Sequence, residues 1–444
     1  MPNYNKGQVN FGTPGEIINS EIPSRRLYDF SDRIAELAPE ESPFFVYLSK
    51  VGKVPTSDSQ FRYLEDRTKI SIADRSFLSA GGATLVAEGS NMSMDFDTSD
   101  GAEVSWLIPG MIVAVSLNAS GTGTLPAFGN VRINSVSHNA ASTTCGVTSV
   151  STVAGNSMTI ADNAQCTVIG TSFQEGSGSP DVWSEQMDNG FGYTQIFKTA
   201  CEMSNTARAT QYRGYADEWQ RIWNLKLREH KVDIERAMLF GQQASRNGIQ
   251  YTDGVVGQII RNSTAKDGGA VMTYTSDKSY YKSNTAAQWT YDDLLTDFEV
   301  MYDPARGGSA SKLGLASLPV ISYFNKMGAG FIESSIGAES RYNVAEAQGS
   351  FGHKVMNLET IHGDLTLVKE PLFRGFSAGF LALVDLDHVS YRPLVGNGMN
   401  RDTSITSNVQ QGDEDLRKDM ILTEAGLEVS LPETHALINL EGVN

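Results

Sequence analysis

The most metal-like residues in the sequence are Asp385, Asp387 and His388. On a strand, alternate residues share a face, and two carboxylates placed that way can hold a hard cation. The plainer reading is a strand end entering a turn with solvated acids. Six histidines occur, His138, His230, His353, His362, His388 and His435, none in an HExxH pattern. GxSxG and GxxxxGK[ST] are also missing. Gly121-Thr-Gly123 opens like a dinucleotide loop but lacks the third glycine. Asp297, Glu299 and Asp303 do not converge at helical spacing. Cys145, Cys166 and Cys201 are odd in number and form no CxxC pair, which argues against a disulfide framework or a zinc site. No catalytic, cofactor-binding or metal-ligating residue is assigned, and the chain is read as a non-enzyme.

The bulk properties fit a protein that binds by surface rather than by chemistry. The 444 residues are 40% hydrophobic and 20% charged, enough for two or three packed units. The net charge is −17, from 35 basic against 52 acidic residues. Such a surface repels phosphate backbones, so sequence-reading of nucleic acid is excluded, while an acidic wall around nucleic acid is allowed. No basic-then-apolar leader is visible at the start, and no run approaches the roughly 18 apolar residues of a membrane helix.

The elements that would position these residues follow in order. Residues 1 to about 24 read as an extended arm. Ser31 caps a short helix over Arg33–Leu37, and Ser42-Pro43 leads into Phe44, Phe45, Tyr47 and Leu48. Phe61 and Tyr63 alternate with Arg62 and Leu64, a strand with two unlike faces, closed by Glu65, Asp66 and Arg67. Between 107 and 174 Arg132 and Asp162 are the only charged side chains. Short apolar segments (Met111–Ser116, Val131–Val136, Ser157–Ile160, Cys166–Ile169) mark a small all-β insert. Charged strand character resumes at Thr194, so the two legs read as one hairpin split by an inserted module. The clearest helix spans 215–240, with Trp219, Trp223, Leu227, Ile234 and Met238 on one stripe and Gly241 as its stop. The Trp pair reads as packing and His230 as a helix-packing or surface residue. Thr290 with Asp293 starts another helix ending near Asp303-Pro304. Leu313–Ala316 reads as a buried strand, and Ser317 caps a helix to about Met327. The tail carries strands at Leu365–Val368, Phe380–Val384, Val389–Tyr391, Met420–Leu422 and Leu427–Leu431.

Taken in order, these features resemble the HK97-like fold of tailed-phage major capsid proteins. They are most similar to the SU10-like branch with an insertion in the extended loop. The residues carrying the resemblance are Phe61-Arg-Tyr-Leu-Glu-Asp66, Tyr193-Thr-Gln-Ile-Phe-Lys198 with Met203-Ser-Asn-Thr-Ala-Arg208, Asp233-Ile-Glu-Arg-Ala-Met-Leu-Phe-Gly241, and Asp419-Met-Ile-Leu-Thr-Glu-Ala-Gly-Leu-Glu-Val429 with Pro432 and His435-Ala436. The resemblance implies an α+β chain with an N-terminal arm (1–50), extended-loop legs (51–106 and 175–200), a β-rich insertion (107–174), a peripheral domain with the spine helix (201–250 and 381–444) and an axial domain (251–380).

It further implies self-assembly into hexamers and pentamers of an icosahedral head enclosing double-stranded DNA, with no sequence-specific contact and no membrane. The chain would be made in the host bacterial cytoplasm and end in the virion. Decoration, portal and separate scaffolding proteins are the further partners it suggests, and no cofactor. Arg62, Glu65, Asp66 and Arg67 are the candidates for inter-subunit charge pairs on the loop. Alternatives are a β-rich receptor-binding or adhesin protein, for which the Ser/Thr-rich insert speaks, and an encapsulin-like nanocompartment shell.

Overall fold

A computed structural model describes residues 44, 47–48, 53–66, 76–85, 89–98, 103–116, 128–139, 142–152, 158–182, 186–212, 217–263, 279–285, 289–334, 344–348 and 354–442. The expected arm, the helix over Arg33–Leu37 and Gly121-Thr-Gly123 lie outside these residues. What is described is α+β, built around three hydrophobic cores.

The first core fills a closed six-stranded barrel. Around its wall run Ser76–Ser79, Asn91–Asp97, Ser142–Thr152, Phe128–Asn139, Met111–Ser116 and Gln165–Thr171. Strand alternation sends Val113, Val115, Val131, Ile133, Cys145, Val147, Cys166 and Val168 inward. Phe77 meets Phe96 and Trp106 edge-to-face at 5.1 and 5.8 Å between centroids. The barrel therefore begins well before the boundary expected at 107. Residues 76–97, expected in the outgoing loop leg, supply two staves, because Phe77, Met94 and Phe96 point inside.

The second core joins a four-stranded sheet to the long helix. Leu416–Val429 is the central strand, with Gln195–Ser204 and Val389–Pro393 beside it and Ser404–Thr406 also paired to it. Two separate strands were expected here; instead one 14-residue strand runs through. Antiparallel partners on both sides keep it extended across Gly426, where a Cβ would lie 2.6 Å from Tyr193 O. It stops at Val429, and Leu431 adopts left-handed φ of 47°.

The helix is Glu218–Phe240, not 215–240, because Asp217 caps it by accepting from Gln220 N at 3.2 Å. At about 1.5 Å per residue it is about 35 Å long. Gly241 ends it by crowding rather than by a left-handed turn: its φ is −56°, and a Cβ would sit 2.6 Å from Thr252 O. His230 is buried and bridges the sheet, with ring nitrogens 2.9 Å from Thr199 Oγ1 and 2.8 Å from Thr423 Oγ1. The expected stripe is buried only in its second half, at Ile234 and Met238; Trp219, Trp223 and Leu227 are half-buried.

The third core underlies a seven-stranded mixed sheet. Its spatial order is Tyr280–Thr285, Ala436–Glu441, Phe380–Val384, Ser311–Ala316, Asp364–Lys369, Lys354–Glu359, Val344–Gln348. Tyr280–Thr285 pairs in parallel with Ala436–Glu441, so a boundary at 380 does not separate the two sheets. Phe380–Val384 is buried at every position, as a strand covered on both faces must be. Thr290 and Asp293 form the expected capping box, although the helix Tyr291–Met301 ends sooner than Asp303. The helix after Ser317 is Leu318–Ser334, longer than expected.

Asp297, fully buried, is the hub of this body. It accepts from Tyr280 OH at 2.7 Å, Lys282 Nζ at 2.5 Å, Trp289 Nε1 at 2.9 Å and Asn284 Nδ2 at 3.4 Å. Removing it strands several donors and a cation at once. Asp297→Ala is expected to cost about 3–5 kcal/mol, read as a lowered denaturant midpoint at unchanged m-value.

Candidate assembly surface

A two-stranded ribbon links the barrel to the rest of the chain. Gln60–Glu65 pairs antiparallel with Asp188–Tyr193, and the barrel lies between them in sequence. This is the split hairpin expected from the two charged legs.

The ribbon's two faces differ by strand parity. On one face Phe61 and Tyr63 lie opposite Gly192 and Gly190. A Cβ on either glycine would overlap the facing ring, so bare backbone on one strand is what the aromatics of the other cover. This face rests on the chain's own closing strand. Phe61 is buried, with the Arg392 guanidinium 5.8 Å from its ring centre. Tyr63 OH donates to Val429 O at 3.1 Å, and burial pushes the phenol up to about 12. Leu431 N donates to Glu65 Oε1 at 2.9 Å.

The other face carries Arg62, Leu64 and Phe191. Arg62 and Asp66 are exposed, Leu64 is 69% exposed and Phe191 47%. Of the four expected contact residues, then, Arg62 and Asp66 lie on the open side. Glu65 faces inward and holds the ribbon to its own chain, because residue parity puts it with Phe61 and Tyr63. Arg67 lies outside the described residues. Sequence reasoning passed over Leu64 and Phe191, although strand alternation from Arg62 and the register-matched glycines at 190 and 192 mark both.

A second open region lies at the start of the long helix. A groove of about 600 Å³ runs between Met203, Ala207–Tyr212, Asp217–Trp219 and Arg417. The Arg417 guanidinium stands 4.8 Å over the Trp219 ring and pairs with buried Asp419 at 2.9 Å. Trp219 is thus capped by a side chain of its own chain.

The residues singled out for chemistry do structural work. Asp385 and Asp387 do not share a strand face. Asp385 is buried and caps the short turn Leu386–His388, accepting from Asp387 N at 3.1 Å and from Ser309 N at 2.7 Å. Asp387 is exposed. Among the described residues no group of three or more His, Cys, Asp or Glu is placed to hold a metal. The three cysteines are buried and free, and burial pushes the Cys145 and Cys166 thiols up to about 12, away from the reactive thiolate. No described helix is long and apolar enough to cross a membrane.

Residues 6–442 match the family model described as "SU10 major capsid protein". The chain is similar to the major capsid protein of Pseudomonas phage PaMx41, 28% identical over 239 residues, 52% of each chain. The match thus spans about half the length of that relative. Among solved structures it is similar to the cyanophage A-1(L) capsid (TM-score 0.49, 11% identity, 94% of this chain and 97% of that one) and to the capsid of a native GTA particle (TM-score 0.43, 12% identity, 95% and 97%).

Two outcomes are expected from the geometry. Gly192→Val drives a branched side chain into the Phe61 ring and is expected to destabilise by about 1–3 kcal/mol, with faster amide exchange confined to the ribbon. Buried His435 accepts from Asp385 N at 3.1 Å, and burial, with Lys312 nearby, pushes it down to about 3 from 6.5. The folded chain then refuses a proton that the unfolded chain takes. The stability is present above pH 6.5 and is lost as pH falls toward 3. Melting temperature is expected to drop across that window, and His435→Asn to flatten the dependence.

Proposed function

The chain belongs to the SU10 major capsid protein family, and from that premise we propose that its copies tile the head shell of a tailed phage. It is a structural component of the virion and carries no catalytic role of its own. Hexamers and pentamers of the chain close the shell around double-stranded DNA.

The single observation that carries this reading is the ribbon. One of its faces is satisfied within the chain, while the other presents Leu64, Phe191, Arg62 and Asp66 to solvent. A lone two-stranded ribbon is marginal in water. Apolar residues at its open face favour a covering surface, and in a self-assembling family that surface belongs to a sister copy. Arg62 and Asp66, with Arg67 following them, are assigned to charge pairs across that contact. Glu65 is assigned to holding the ribbon in place. The half-buried Trp223 and Leu227 on the long helix form a second surface of the same kind.

The net charge of −17 suits the inner wall of a DNA container, because an acidic lining lets packed polyanion slide without adhering. The barrel, held out on the ribbon, is assigned to the shell's outer layer, where a decoration protein would meet it. Scaffolding as a separate protein and a portal complete the partners.

Electron microscopy of the full chain expressed with its phage partners is expected to show closed shells of hexamers and pentamers. Leu64→Asp together with Arg62→Glu is expected to leave monomer melting within about 0.5 kcal/mol of wild type while abolishing shells. Fibres, spikes, or undiminished shells from the double variant would count against the reading.

A further inference from the structure

Where the described chain begins, at Phe44, it is fastened by a buried pair of carboxyl groups that the shell reading does not use. Phe44 and Leu48 are fully buried against the long helix. The Phe44 N–H donates to Glu235 Oε1 at 2.8 Å, and Glu235 is itself fully buried on the helix. Within hydrogen-bonding reach of Glu235 lies Glu370, 1% exposed, just after the strand Asp364–Lys369. Glu370 is fixed from its own side. Its N–H donates to Ala316 O at 2.8 Å, and its Oε1 accepts from Leu372 N at 3.1 Å. Its second oxygen is buried and meets no N–H or O–H donor of the described residues. Two carboxylates cannot hydrogen-bond to one another; a carboxylic acid and a carboxylate can.

We propose that Glu235 and Glu370 share one proton and act as a latch that ties the segment entering at Phe44 to the long helix and to the seven-stranded sheet, and that losing the proton opens the latch. Three parts of the chain meet in this one hydrogen bond: the entry segment through Phe44, the helix through Glu235, and the sheet through Glu370.

The surroundings favour the neutral acid. Burial is the dominant influence and pushes Glu370 up to about 7, against the opposing pull of the Leu372 N–H and of Glu235. No other ionisable group among the described residues acts on it. On the adjoining strand Lys312 turns its Nζ to Thr434 O at 2.5 Å, and on the following turn Arg374 donates to Pro371 O at 3.0 Å. On the helix Arg236 faces Asp233 at 3.5 Å, and His230 is held by Thr199 and Thr423. Lys369 precedes Glu370 in the chain.

The sign follows from linkage. The folded carboxyl titrates above its ordinary value of 4.5, so the latch is at full strength below about pH 4.5. Its strength falls about tenfold per pH unit as pH rises and is spent once pH passes about 7.

The test is amide hydrogen exchange of the full-length chain, followed by mass spectrometry of the peptide covering Phe44 to Leu48. Rates are corrected for intrinsic exchange at each pH. Protection is expected to fall about a hundredfold between pH 5 and pH 7.5 in the wild type. Glu370→Gln donates from its amide to the Glu235 carboxylate and keeps Oε1 for Leu372. Glu235→Gln keeps its carbonyl oxygen for Phe44 and donates to the Glu370 carboxylate. Either variant is expected to hold protection level across the range, so if one does not fold the other decides. A wild type with level protection, or a folded Gln variant as steep as wild type, overturns the latch. Neither result depends on whether shells form, so the latch and the shell reading fail separately.

Discussion

The central strand Leu416–Val429 carries three buried carboxylates, and each must find a cation without leaving the strand. Asp419 is met by Arg417 on the same strand, Glu424 by Arg401, and Glu428 by Arg392 on the neighbouring strand. A buried carboxylate without its partner costs several kcal/mol, so a slip of one residue in pairing would strand Glu424 and Glu428, whose cations lie outside the strand. This requirement sets the register of the sheet. The rest of this body then hangs from it. Thr423 takes the long helix through His230, Val429 takes the ribbon through Tyr63, and Arg392 lies over Phe61.

From that anchored strand the structure becomes progressively less self-sufficient. The helix is buried where it crosses the sheet and only half-buried toward its start. The ribbon is satisfied on the face that touches the closing strand and open on the other. Beyond it the barrel is again complete in itself, with an interior packed by its own aromatics. The incomplete surfaces of the described chain are thus the open face of the ribbon and the first half of the helix.

Much of the fold was legible in the chain because it is written in local periodicity. The stave Met111–Ser116, the capping box at Thr290 and Asp293, and the split hairpin all rest on spacing of two or on adjacent polar residues. The misplaced boundaries have a common cause. Ser76–Asp97 joins the barrel by pairing with strands far along the chain, and Tyr280–Thr285 joins Ala436–Glu441 across more than half the remaining sequence. Such partnerships leave no local trace. At the surface site, charge drew attention to Arg62, Glu65, Asp66 and Arg67, whereas alternation alone separates Glu65 from Arg62 and adds Leu64. The acids at 385 and 387 looked like ligands because their shared strand face was inferred from spacing, and a turn intervened.

The barrel's first and last staves lie side by side, Ser76 facing Thr167 and Phe77 facing Cys166. Its entrance and exit therefore lie next to each other. A module whose two ends lie side by side can be exchanged for another, or for a tight turn, while the host strands keep their pairing. The same geometry makes the barrel a natural grafting point, where a foreign domain with adjacent termini would take its place between the two strands of the ribbon.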